Sequence, residues 1–276
     1  MKRWLLAAAC GVVALGLLLY PLIGELVSEK YHSDVKTTYT AAIEDTDEAE
    51  LTAQRQAAQQ YNAMLANATI SEGGASAPPL AYADQLTVGG VMAYVDIPKI
   101  GVYLPVQHGT DVETLEKSVG HVVGTSLPVG GGSTHAVLSA HSGLASSKLF
   151  SDIDQLAVGD VFYIHVLGDT LEYRVDRVTI VEPGDFQLLG IEEGKDYVTL
   201  ITCTPYGINS HRLLVRGVRV AAGAHGSAAL PLINEVRSLD MKYVILAVPL
   251  ALAVVVFLVL TLDKQKRKKK GESADE

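Results

Sequence analysis

Cysteine is scarce in this chain: its 276 residues contain two. Cys10 lies inside an N-terminal apolar run and Cys203 far downstream, so they are not expected to bridge, and a disulfide-stapled fold is excluded. Stability must come from a hydrophobic core, and 49% hydrophobic residues in a chain of this length are enough for one substantial domain plus accessory segments. Clusters of Cys, His and carboxylate with metal-ligand spacing are lacking too, and nothing calls for a bound metal or organic cofactor. No internal repeat is present, and there is no basic excess. Lys2, Arg3, Lys264, Lys266, Arg267, Lys268, Lys269 and Lys270 lie at the two ends, with Asp263, Glu272, Asp275 and Glu276. Setting these aside leaves 14 basic and 27 acidic residues, a net charge near −13 that argues against binding to nucleic acid or anionic surfaces.

What is present centres on residues 199–217, TLITCTPYGINSHRLLVRG. The run YVTLIT before Cys203 and the run HRLLVRGVRV after it are rich in β-branched and apolar residues and predict two strands. Pro205, Gly207 and Asn209 between them favour a turn. A hairpin with residues 206–209 as a four-residue loop sets Cys203 opposite Arg212, with Cβ atoms about 4.5–5.5 Å apart. A one-residue slip would send the two side chains to opposite faces. A thiol beside a guanidinium suggests a nucleophile beside an anion binder, because nearby positive charge favours the reactive thiolate. Arginine stays protonated in proteins, so a general base must come from elsewhere. Residues 134–143, THAVLSAHSG, alternate like a strand and end in His141, which therefore also stands where a strand gives way to a loop.

The segments TLITCTPYG, NSHRLLVRG, SAHSG and GTSLPVGG together resemble the sortases, and among them the class C, pilin-polymerising group. The resemblance covers residues 91–220 and implies a closed β-barrel of about eight strands with N-terminal helices added. It implies a catalytic set of His141, Cys203 and Arg212, with the backbone N–H of Thr204 as a further oxyanion donor. It also implies the reaction: a membrane-anchored cysteine transpeptidase that cleaves an LPxTG-like sorting signal between Thr and Gly and passes the acyl group to a pilin lysine. Two other readings are a sortase of another class, attaching proteins to peptidoglycan, and a non-enzymatic, membrane-tethered β-module that binds surface proteins, with Cys203 a buried thiol.

The remaining segments fit around this domain. Residues 1–27 form a signal or anchor segment whose uncharged stretch 4–23 reads as a retained anchor, with Cys10 a passive apolar thiol. Residues 28–90 hold a helical region with an apolar stripe through Val35, Tyr39, Leu51, Ala58, Tyr61 and Leu65, and Asp45 with Glu48 resembles a capping box. A lid-like loop follows at 68–79, without the Asp-Pro-aromatic motif of class C lids, so a mobile or absent lid is expected. Residues 91–222 carry seven or eight strands, with short helical turns near 112–118 and 149–156. After a linker at 223–242, residues 243–262 are long and apolar enough to cross a bilayer, and the basic tail 263–276 is expected in the cytoplasm, which puts the catalytic domain outside the cell. No LPxTG-like pentapeptide precedes this span, so it reads as an enzyme anchor rather than the signal of a sorted substrate. His108 and His121 are expected in structural or surface roles, and His135 shares a strand face with His141 but about 20 Å away, too far for joint metal binding. His211 is expected on the strand face opposite Arg212, and Arg216 is the fallback anion binder.

Overall fold

The computed structural model describes residues 2–72, 82–144 and 147–220. The expected lid residues 73–79, the linker, the second span and the basic tail lie outside them. Chain contacts set Lys30–Ala228 apart as one compact unit, with the N-terminal part of the first helix belonging to another.

Helix α1, Lys2–Asp45, contains a segment apolar enough to cross a membrane, with a mean hydropathy of 1.8. Its C-terminal part turns Val35, Tyr39 and Ile43 toward Tyr94 and Tyr103 on the barrel wall, and the Leu167 N–H donates to the Tyr39 hydroxyl at 2.9 Å. Gly89, at φ 67°, passes so close that a Cβ there would meet the Tyr39 backbone at 2.9 Å; only glycine suits both constraints. Helix α2, Glu48–Glu72, buries Leu51, Ala58, Tyr61 and Leu65 as the stripe predicts. Its capping carboxylate is Asp47, which accepts from the Ala49 N–H at 3.2 Å, and not Asp45, which is the last residue of α1. The helix also absorbs residues 68–72, read from sequence as loop.

Eight strands follow: β1 Ala93–Ile97, β2 Val102–His108, β3 Val119–His121, β4 Thr134–Ser139, β5 Val161–Val166, β6 Asp169–Val181, β7 Asp196–Thr204 and β8 His211–Arg219. They close in the order β1-β2-β3-β4-β7-β8-β6-β5, with β5 pairing back onto β1. The β2–β3 and β4–β7 pairs are parallel and the others antiparallel. A closed barrel leaves no strand edge open to pair with another chain. Inside, Val95, Val106, Leu138, Phe162, Ile164, Leu200 and Val215 are buried in one continuous core. Strand β3 was not foreseen from its Val-Gly-His sequence. It forms because Val106, Gln107 and His108 pair with it, and a Cβ on Gly120 would collide with the Gly109 carbonyl. The expected turn at 112–118 is helix α3, Val112–Lys117, capped by Asp111, and the one at 149–156 is a 3-10 turn, Ile153–Gln155.

Candidate active site

Strands β7 and β8 pair from Tyr197↔Val218 to Thr204↔His211, which sets Cys203 against Arg212, the register expected from sequence. The connection is six residues, 205–210, rather than four: Pro205 and Ser210 do not pair. Its turn is closed by the N–H groups of Ile208 and Asn209 donating to the Pro205 carbonyl at 3.0 and 2.9 Å, with Gly207 and Asn209 at φ 76° and 59°. Tyr206 and Ile208 stand exposed on this loop, the Tyr206 ring lying over Gly143.

The third residue arrives from a strand remote in sequence. β4 runs parallel to β7 up to Ser139↔Ile201, and the Ala140 N–H continues the ladder to the Ile201 carbonyl at 3.1 Å. Carried one residue further, this register brings His141 level with Cys203. Two hydroxyls fasten the strand ends there: Thr202 Oγ1 donates to the Ala140 carbonyl at 2.8 Å, and Ser142 Oγ to the Cys203 carbonyl at 2.6 Å. His141, Cys203 and Arg212 are all half-buried, and Cys203 is a free thiol. Among the described residues no hydrogen bond joins the Cys203 sulfur to His141 or Arg212. The Arg212 guanidinium instead donates through Nη1 to the carbonyls of Asn209 and His211, at 3.2 and 3.0 Å. Thr204 ends β7 opposite His211. Since Ile201 and Cys203 aim their carbonyls at β4, alternation turns the Thr204 amide toward β8 and the His211 carbonyl.

Arg216 is not a second anion binder. Its guanidinium meets Asp176 through Nε at 3.0 Å and Nη2 at 2.6 Å, and Glu192 through Nη1 at 3.1 Å, and it lies 4.0 Å from the centre of the Tyr197 ring. Alternation gave it the same strand face as Arg212 but could not show these partners. Beside it, Arg177, Thr179, Leu188, Thr199, Leu214 and Arg216 line a small cavity. By strand parity this cavity shares a sheet face with Cys203 and Arg212, about 7–13 Å along the strands.

The other histidines singled out from the sequence have partners of their own. His121 is fully buried between the Tyr82 hydroxyl, 2.9 Å from Nδ1, and the Ser126 carbonyl, 2.8 Å from Nε2; burial depresses its pKa to about 4. The same tyrosine, pushed up to about 12 by burial, accepts from the Gly109 N–H at 3.1 Å and meets the His108 ring edge-on. His135 lies between the Gly190 carbonyl and Thr199 Oγ1, at 2.9 and 2.7 Å, and burial lowers its pKa. His211 engages Glu182 and Ser210.

This arrangement matches known proteins closely. A sortase domain model matches residues 95–220. The solved sortase C1 of Streptococcus agalactiae is 44% identical, with a TM-score of 0.62, over 66% of this chain and 96% of its own. The chain belongs to the sortase family. These enzymes are cysteine transpeptidases, and the structural neighbours of this sortase are of class C. The sortase C of Streptococcus pneumoniae is 43% identical, with a TM-score of 0.62, over 68% of this chain and 97% of its own. Sortase D of Bacillus subtilis is 30% identical over 135 residues, 48% of this sortase and 65% of the relative, so the chain spans just under two thirds of that curated protein.

Proposed function

We propose that this sortase is a membrane-anchored transpeptidase that cleaves an LPxTG-like signal between Thr and Gly through a Cys203 acyl-enzyme and transfers it to a pilin lysine. The observation that supports the reading is that β4, β7 and β8 end side by side, with Cys203 paired to Arg212 and His141 two residues beyond the last β4–β7 pair. The Cys203 sulfur attacks the Thr carbonyl carbon, and Arg212 stabilises the oxyanion. The C–N bond to glycine then breaks, and His141 gives its proton to the departing amine. A lysine amine attacks the thioester, its proton returns to His141, and the thiolate is released with a new amide formed. Arg212, held at rest through Nη1 alone, turns toward the developing oxyanion, and the Thr204 N–H joins it by leaving the His211 carbonyl that it faces at rest.

A peptide acylated at Cys203 would extend over the cavity beside Thr199 and Leu214, on the same sheet face. Pilin substrate specificity is attributed to the S. pneumoniae neighbour, which favours the pilin reading over transfer to peptidoglycan. The apolar segment of α1 supplies the anchor, with the barrel outside the cell and the basic tail inside. The test is incubation of the full chain with an LPxTG peptide. Mass spectrometry is expected to find a thioester on Cys203, absent in Cys203→Ala, and cells carrying that variant are expected to lose pilin polymers. An unmodified cysteine with unaffected polymers would leave the scaffold reading instead.

A further inference from the structure

Pairing between β4 and β7 stops at Ser139 and Ile201, extended by one bond from the Ala140 N–H. His141 stands just beyond, where backbone geometry alone no longer fixes it to β7. The bonds that follow mostly tie its loop to the next turn: the Phe150 N–H donates to the His141 carbonyl at 3.1 Å, and the Gly143 N–H to Ser151 Oγ at 3.1 Å. Directly after His141, Ser142 reaches back to the nucleophile strand. The residue is buried, and its hydroxyl donates to the Cys203 carbonyl at 2.6 Å. The Tyr206 ring closes over Gly143, so the chain after Ser142 is held from the other side too.

We propose that Ser142 is a positioning residue for acyl transfer, its hydroxyl replacing the missing ladder bond and fixing the distance between the His141 imidazole and the Cys203 sulfur. The inference rests on the transpeptidase reading above. The same bond acts on a second group. The Cys203 carbonyl and the Thr204 N–H belong to one planar peptide, so a donor held on the carbonyl steadies the plane whose N–H faces the His211 carbonyl at rest and polarises that N–H toward stronger donation. A single hydroxyl thereby orients the proton carrier and a backbone donor together, while touching neither the substrate nor the sulfur.

The test is steady-state transfer by the full chain, with an LPxTG peptide and an amine acceptor. Ser142→Ala is expected to lower kcat about ten- to hundred-fold, the scale of an ångström's misplacement, with KM within about twofold. Ser142→Thr, which keeps the hydroxyl, is expected to recover most of the loss, and Ser142→Val, of the same shape without it, is not. The Thr and Val pair decides the matter if the alanine variant does not fold. Wild-type kcat in Ser142→Ala, a change confined to KM, or equal activity of the Thr and Val variants would overturn the proposal. Cys203→Ala is measured alongside: if it still transfers, the transpeptidase reading fails, whereas an inactive Cys203→Ala beside fully active Ser142 variants removes the role of Ser142 alone.

Discussion

Arg212 sits opposite Cys203, yet its guanidinium is occupied by two neutral carbonyls of its own loop. Those bonds can be exchanged. An oxyanion adds a Coulombic attraction for the guanidinium that a neutral carbonyl lacks, so one forming on the acylated carbonyl would draw the group away from Asn209 and His211. In the proposed reaction the side chain would leave this resting position and engage the oxyanion. Arg212→Ala is expected to reduce kcat about 10²–10³-fold, the loss typical of one oxyanion donor. Arg212→Lys is expected to restore only part, because an ammonium lacks the planar fork. Steady-state kinetics with saturating peptide checks both, and an alanine variant within a few-fold of wild type would place the anion-binding role elsewhere. Arg216 is no candidate for that role, since its charge is already matched by Asp176 and Glu192.

The cluster around Arg216 joins β6, β8 and the loop before β7. Asp176 falls in the bulge where the β6–β8 register shifts between Val175 and Arg177, and such an irregularity re-aims a side chain that would otherwise follow the pleat. Here it lets the carboxylate grip Nε and Nη2 of Arg216 while Glu192 brings the 182–195 loop onto the third nitrogen. Asp176→Asn leaves a largely buried guanidinium with one half-exposed carboxylate, and it is expected to cost about 1–2 kcal/mol, less than a fully buried pair because Asp176 and Glu192 are partly solvated. The midpoint of chemical denaturation measures it, and an unchanged value would credit Glu192 and the Tyr197 ring with holding Arg216. Alternation showed that Arg216 shares a face with Arg212; a bulge and a loop partner leave no such trace. The β7–β8 hairpin was legible because both strands alternate clearly around a Pro-Gly-Asn turn. By contrast, β3 is too short to carry a pattern, and its pairing with β2 makes it a strand. That His141 comes level with Cys203 follows from parallel pairing between segments some sixty residues apart, a relation that the sortase resemblance supplied and local sequence could not.

At the scale of the whole molecule, the barrel and α2 enclose polar side chains that must stay neutral. His121 is the extreme case, with no exposed surface and both ring nitrogens hydrogen-bonded. Its folded pKa is about 4, whereas an unfolded histidine titrates near 6.5. Between those values the unfolded chain binds a proton that the folded chain refuses, so stability rises with pH across the window and is lost as pH falls from about 6.5 toward 4. His108 and His135, whose pKa values burial also lowers, act in the same direction, while Asp196, raised by burial, opposes them at the acidic end because the folded state holds its proton more tightly. The His121 contribution is on the order of 3 kcal/mol over the full window. The denaturation midpoint is therefore expected to fall steadily between pH 6.5 and 4.5, and His121→Asn to be less stable at pH 7 but visibly flatter across that range. Equal slopes in the two proteins would show that His121 is not the group that couples folding to protons. The other buried histidines, His108 and His135, would then have to carry the acid sensitivity of this barrel.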